Sequence, residues 1–281
     1  MARNVISAKL DIIFKKIFTD KNNEDMLHSF VASMLDIPPE SITKITVNNP
    51  EMPPELAAGK FSRLDLSLTV DNRLVNVEIQ IKNDPDYRDR TLFYWAKLYT
   101  SELKSGEDYG ELKQTITINI INFNMFSGAD YHTEIAAVIK DTGEVFSDKF
   151  GIHFFELKKV GKKSEPCNTR ELWLQFINAD SEEAFKMIES KNVPIINKAV
   201  QVIYDLSEDS RMREMARMRE KQLHDEASAL KGARLEGIEI GRAEGRAEGK
   251  AEERDFIISR MRASGMTDEQ ISSILTGNFT S

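Results

Sequence analysis

Two acidic residues, Asp65 and Glu78, stand in runs where polar and apolar residues alternate strictly. In the first run Leu64, Leu66, Leu68 and Val70 alternate with Arg63, Asp65, Ser67 and Thr69. In the second, Val75, Val77, Ile79 and Ile81 alternate with Asn76, Glu78, Gln80 and Lys82. A period of two marks a strand with one buried face. Asp71-Asn72 between the runs tolerates the positive φ of a tight turn, so the two runs read as a β-hairpin. A two-residue turn pairs Val70 with Arg73, Leu68 with Val75, Leu66 with Val77 and Leu64 with Ile79. A slip by one residue would break every apolar match, whereas a four-residue loop preserves the same pairing. That register sets Asp65 opposite Glu78, Ser67 opposite Asn76 and Arg63 opposite Gln80. Carboxylates directly across a ladder lie about 4.5–5.5 Å apart at Cβ and repel. A divalent cation held by oxygen ligands would offset the repulsion. Such an ion can generate a hydroxide or stabilise a leaving oxygen in phosphodiester hydrolysis. A solvated polar face, or neutralisation by Arg63, would answer the same pattern without a metal.

The surrounding elements read as α/β with a mixed sheet. Residues Ser7–Leu35 are helical, with Asp11, Phe14 and Phe18 on one face, and Pro38-Pro39 stops the run. Residues 48–60, with three prolines and a glycine, form a loop. Arg90–Ser105 is an amphipathic helix ending at Gly106. Gln114–Phe123 is a strand, His132–Ile139 and Ile152–Leu157 are shorter strands, and Thr169–Ile188 is helical. All eight prolines lie at or before Pro194, and half of the fourteen glycines lie after residue 230, which puts a boundary near residues 195–210.

Other chemistries lack support. The four histidines, His28, His132, His153 and His224, show no metal-ligand spacing and read as structural. The single cysteine, Cys167, excludes a disulfide framework, carries no cue for activation and fits a reducing compartment. There is no phosphate-binding glycine loop and no dinucleotide fingerprint. No stretch approaches a membrane span, and charges interrupt the N-terminal segment where a secretory signal would be apolar, so a cytoplasmic location is expected. The net charge of −8 on 281 residues argues against a charge-driven nucleic-acid coat, and residues 1–210 carry all of it. Basic residues that could meet phosphates are local: Arg88, Arg90 and Lys97, and a group at Lys158, Lys159, Lys162 and Lys163 that is the better candidate or else a solvated loop. Tyr94, Trp95 and Tyr99 read as core packing rather than a base-stacking platform.

Asp65 followed by Glu78-Ile79-Gln80 on the next strand resembles the active site of PD-(D/E)XK nucleases, and is closest to the Rpn family of recombination-promoting nucleases and transposases. The segments Asp11-Ile-Ile-Phe-Lys-Lys-Ile-Phe18, Arg63-Leu-Asp65, Asn76-Val-Glu78-Ile-Gln80, Tyr94, Tyr99, Gly106-Glu-Asp-Tyr109, and the tail from His224 with its Glu-Gly steps carry the resemblance over nearly the whole chain. The resemblance implies a restriction-endonuclease-like core and DNA cleavage dependent on Mg²⁺ or Mn²⁺. It makes Asp65 and Glu78 metal ligands, with the Ile79 carbonyl a third contributor. The superfamily pattern has Lys where Gln80 stands. Gln80 could orient water or a phosphate oxygen, or bond to Arg63, and Lys82, two residues on and on the same face, could supply the cation. Asp11 matches an acidic residue that completes such sites, or serves only as a helix N-terminal charge.

Residues 211–254 hold eleven basic and ten acidic residues and no proline, and read as a charge-laced helix. Gly237, Gly241, Gly245 and Gly249 repeat every four residues and would make either a flexible spacer or a close helix–helix contact in an oligomer. Ile257–Ile274 reads as two short helices, with Thr267 and Gln270 as a capping box before the second. The expected organisation is a nuclease domain over 1–205, a charged helical tail over 206–254 and a short helical pair over 255–281. The leading expectation is a metal-dependent DNA endonuclease promoting recombination or transposition. The alternatives are a non-catalytic DNA- or protein-binding module on a nuclease fold, and an oligomeric scaffold acting through its tail.

Overall fold

A computed structural model describes residues 5–48, 66–101, 103, 106–161 and 168–276. Asp65 and Arg63, like Lys162, Lys163 and Cys167, lie outside the described residues. The chain divides into two compact units, Met1–Arg219 and Glu220–Ser281.

The first unit is built on one sheet. Its strands are β1 (Ile45–Val47), β2 (Leu66–Val70), β3 (Arg73–Gln80), β4 (Gln114–Ile121), β5 (His132–Val138) and β6 (Val145–Glu156). Their order across the sheet is β1-β2-β3-β4-β6-β5. The β3–β4 and β4–β6 pairs are parallel and the others antiparallel, so the sheet is mixed. The β2–β3 hairpin has the pairing its alternation predicts: Leu66 opposite Val77, Ser67 opposite Asn76, Leu68 opposite Val75 and Val70 opposite Arg73. Asp71 takes the positive φ of the turn, 51°. Its Oδ1 accepts from the Thr43 and Lys44 amides and the Thr43 hydroxyl, which holds the carboxyl below its ordinary range and anchors the turn beside β1.

Helix α1 (Asp11–Thr19) and α2 (Glu24–Leu35) open the chain, α3 (Tyr87–Thr100) connects β3 to β4, and α4 (Thr169–Asn178), α5 (Glu182–Glu189) and α6 (Pro194–Glu208) follow β6. Leu66, Leu68, Val75, Val77, Ile118 and Ile120 share one face of the sheet and are buried. Helices α1, α2, α4, α5 and α6 are joined by ring contacts running Phe14–Phe18–Phe30–Trp173–Phe176–Phe185–Tyr204, with centroids 4.7–6.0 Å apart. Helix α3 covers the other face. The Trp95 Nε1 donates to the Thr115 carbonyl at 2.8 Å, and its ring meets Phe150 and stacks on Tyr99. Those aromatics pack, as their spacing suggested.

Tertiary contacts moved several boundaries. Helix α3 starts three residues before the predicted Arg90 and ends five before Ser105, because the buried Tyr87 ring draws the first turn onto the sheet. The predicted helix over Thr169–Ile188 is two helices, broken at Ala179-Asp180 and restarted by Ser181, whose hydroxyl accepts from the Ala184 amide. The predicted strand at Ile152 begins at Val145, since the polar stretch before Gly151 pairs with β5 as a hairpin arm. The short β1 lacked enough alternation to be read.

Helix α7 runs Ser210–Ala263 and α8 runs Asp268–Thr276. Helix α7 is unbroken through Gly237, Gly241, Gly245 and Gly249, and a side chain at any of these would meet open space. At its end Gly265 adopts φ 84°, and the Met266 amide reaches the Met261 carbonyl at 3.2 Å, closing a left-handed helix cap. The Thr267–Gln270 capping box forms in both directions, at 2.9 and 3.4 Å.

Candidate active site

The polar face of β3 is buried, where the sequence allowed a wet one. Asn76, Glu78 and Gln80 alternate along β3 and share a face with Thr117 and Asn119 of β4, their neighbours in the parallel register. Glu78 is only 8% exposed, Asn76 and Thr117 1%, and Asn119 fully buried. Helix α3 is the reason: the Tyr87 hydroxyl donates to Asn119 Oδ1 at 3.0 Å, and the Asn119 amide donates onward to the His153 carbonyl at 3.1 Å. An acid placed under that helix loses its water. Burial therefore pushes the Glu78 carboxyl above its ordinary range, against the weaker opposing effects of its hydrogen bond from Asn76 and the charge of Arg90.

Among the described residues Glu78 is thinly compensated. Its Oε1 accepts one bond from Asn76 Nδ2, at 3.3 Å. On the same face of the sheet Asn76 Oδ1 and Thr117 Oγ1 are buried without a hydrogen-bond partner among the described residues, as is Arg90 Nε on α3. Buried polar atoms are nearly always paired, and a cluster of unpaired ones marks a place for an ion or water. The donors on offer, a carboxylate and an amide oxygen, are hard oxygens suited to Mg²⁺ or Mn²⁺. A single-face strand pattern thus fits a divalent ion. Among the described residues no three His, Cys, Asp or Glu side chains come together as a metal site, and Asp65, the second carboxylate of the expected pair, lies outside them.

The other expected residues are placed as follows. Gln80 is held at both ends: its Nε2 donates to the Lys82 carbonyl at 2.9 Å and its Oε1 accepts from Arg90 Nη2 at 3.0 Å. Arg90 also meets Asp84 Oδ2 at 3.2 Å, and its guanidinium carbon lies 4.9 Å from the centre of the Tyr87 ring. Ile79 pairs with Ile120 in the β3–β4 ladder. Asp11, at the first turn of α1, is gripped in a two-point ion pair by Arg219, at 2.9 and 2.7 Å. Of the expected set the structure thus puts Glu78 and Gln80 on one face of β3, with the Lys82 backbone carbonyl bonded to Gln80, while the Asp11 carboxylate is taken up by Arg219.

Among the basic groups, Lys159 is not a phosphate ligand in waiting. It is buried, bonded to the Phe126 carbonyl at 2.8 Å and to Glu156, whose other oxygen accepts from the Met125 amide at 2.6 Å. The pair clamps the loop after β4, and the Lys158–Lys163 cluster loses a member. Arg88 is likewise engaged, by the Met125 carbonyl and the Phe126 ring. His132 and His153 stack and share a hydrogen bond of 3.0 Å, and burial drives both down to about 4. His28 bonds the Ile42 carbonyl. Asn76 and Tyr87 were missed as site residues. The alternation that exposed Glu78 also puts Asn76 on its face, so Asn76 was legible, whereas Tyr87 is recognisable only from its reach to Asn119.

A mixed α/β sheet with a carboxylate buried on a central strand beneath a connecting helix defines a protein of the restriction-endonuclease-like class. The family model for PD-(D/E)XK nuclease family transposases matches residues 8–233, and the chain belongs to that family. No curated protein matches the chain. No solved structure matches it. No helix among the described residues is long and apolar enough to cross a membrane.

Proposed function

We propose that the chain is a metal-dependent DNA endonuclease acting in DNA recombination or transposition inside the cell. The observation that carries this reading is the buried Glu78 carboxylate, which among the described residues accepts one hydrogen bond, from Asn76, whose own side-chain oxygen has no partner among them. Glu78 and Asp65 would hold the ion, with the Ile79 carbonyl as third contributor. The register expected from the alternation of the two runs would set Asp65 opposite Glu78. A bound Mg²⁺ or Mn²⁺ would supply a water acidic enough to attack a phosphodiester and a charge to stabilise the leaving oxygen. Asn76 orients Glu78 through its amide. Helix α3 excludes water from the inner side of the carboxylate, which strengthens its attraction for a cation. Gln80 would assist by ordering the groups around it and Lys82 by its charge, while Asp11 is engaged by Arg219. The charged helix α7 offers a surface for self-association into a homo-oligomer, which sedimentation of the full chain tests.

The second reading, a non-catalytic DNA- or protein-binding module, is favoured by one observation: both ends of Gln80, where the superfamily has a lysine, are occupied. Supercoiled plasmid incubated with Mg²⁺ or Mn²⁺ separates the two. Cutting is expected from the parent protein, abolished by EDTA and by Asp65→Asn or Glu78→Gln. Cutting that survives both substitutions removes the site assignment, and an inert parent protein favours the binding module.

A further inference from the structure

The proposed site has a carboxylate and no lysine at position 80, so its fixed positive charge must come from elsewhere. Arg90 is placed to provide it. It enters from the first turn of α3, ten residues after Gln80, and three groups fix its guanidinium: Gln80 Oε1 at 3.0 Å, Asp84 Oδ2 at 3.2 Å and the Tyr87 ring at 4.9 Å. Tyr87 is itself pinned to Asn119, the register partner of Glu78. The side chain is 28% exposed, so one flank opens to solvent while the Nε is buried without a hydrogen-bond partner among the described residues. An arginine fixed in this way spends one N–H on each of two neighbours and keeps others of its five for a ligand. It stays charged whatever the local field.

We propose that Arg90 is the cation of this site that meets the scissile phosphate, and that Gln80 is a positioning residue that aims it rather than a group that orients water. The inference rests on the metal-nuclease reading above. Lysine and glutamine at position 80 then solve one problem in two ways. A lysine would carry the charge on the strand, whereas glutamine accepts from a charge delivered by the helix.

The test uses the full-length chain and two readouts besides cleavage: Mn²⁺ affinity by calorimetry, and affinity for a short DNA duplex in Ca²⁺ by fluorescence anisotropy. Arg90→Gln removes a positive charge near the ion, so Mn²⁺ binding should tighten, by about fivefold. DNA binding should weaken by about tenfold with the loss of one phosphate contact. A purely structural Arg90 would weaken both. The double variant Q80K/R90Q returns the charge to the strand and should restore both affinities toward the parent values. Should Arg90→Gln not fold, Gln80→Lys alone carries the test: a second cation beside Arg90 should weaken Mn²⁺ binding severalfold. Unchanged Mn²⁺ affinity in the informative variant, or weakening of both affinities in Arg90→Gln, overturns the proposal while leaving the nuclease reading intact. A parent protein that binds no Mn²⁺, with Glu78→Gln indistinguishable from it, overturns both.

Discussion

Replacing Glu78 by glutamine should stabilise the metal-free protein while removing its response to metal. In the parent the carboxylate is buried and, among the described residues, accepts one long bond, 3.3 Å from Asn76. Glutamine keeps the shape and the acceptor, and brings an N–H₂ beside the unpaired Asn76 oxygen. It forfeits the attraction to Arg90 but escapes the cost of a buried charge. The net gain at pH 8 in chelator should be about 1–3 kcal/mol. In a unit of the size of Met1–Arg219, 1 kcal/mol moves Tm by about 2–4 °C, so a rise of about 2–12 °C is expected. The gap should depend on pH with a definite sign. Burial raises the folded-state pKa of Glu78 above its ordinary 4.5, so protonation favours the fold. The stability linked to that proton is present below about pH 4.5 and is lost as pH rises through the folded value. The variant's advantage should therefore grow as pH rises from 5 to 8. Both tryptophans, Trp95 and Trp173, lie in the first unit, so fluorescence-detected melting reports on it alone. Mn²⁺ at a hundred times its Kd should stabilise the parent by about 2.7 kcal/mol and the variant by little. A variant less stable than the parent at pH 8, a gap independent of pH, or equal stabilisation by Mn²⁺ would refute the reasoning.

Three further outcomes follow from the packing. His132 and His153, held neutral with values of about 4, give stability that is full above pH 6.5 and lost as pH falls toward 4. Urea denaturation from pH 7 to pH 4.5 should show that loss, and His153→Phe should flatten it. Lys159→Met leaves the Glu156 carboxylate buried without its cation, and should cost about 3–5 kcal/mol by urea denaturation. Lysine with its partner changed, Glu156→Gln, should cost less, because two backbone amides still bond the side chain. Asp11→Ala and Arg219→Ala should each destabilise by about 1 kcal/mol and be non-additive, since they break one partly exposed ion pair. If instead Asp11 also serves the metal, Asp11→Ala weakens Mn²⁺ binding and Arg219→Ala does not.

The features that read correctly from the chain are those whose causes are local. The β2–β3 register follows from alternation and a two-residue turn within fifteen residues, because a slip would turn every apolar side chain to the wrong face. The Thr267–Gln270 box needs only three residues of spacing. The chemical types at Glu78 and Gln80 were equally plain, as was the mixed α/β class. What those residues face was not. Glu78 is buried because Tyr87, nine residues on, reaches across to Asn119. Gln80 is occupied because the first turn of α3 folds back over the strand. Lys159 reads as a surface lysine until Glu156 and the Phe126 carbonyl enclose it. Asp11 and Arg219 meet across 208 positions, a separation at which no pattern in a single sequence specifies a pair. Periodicity reports which face a residue occupies, so the sequence by itself determined that an acid, an amide and a glutamine line one side of a hairpin. Burial and charge pairing depend on what the rest of the chain lays over that face, and only the tertiary structure decided that it is α3 and its arginine.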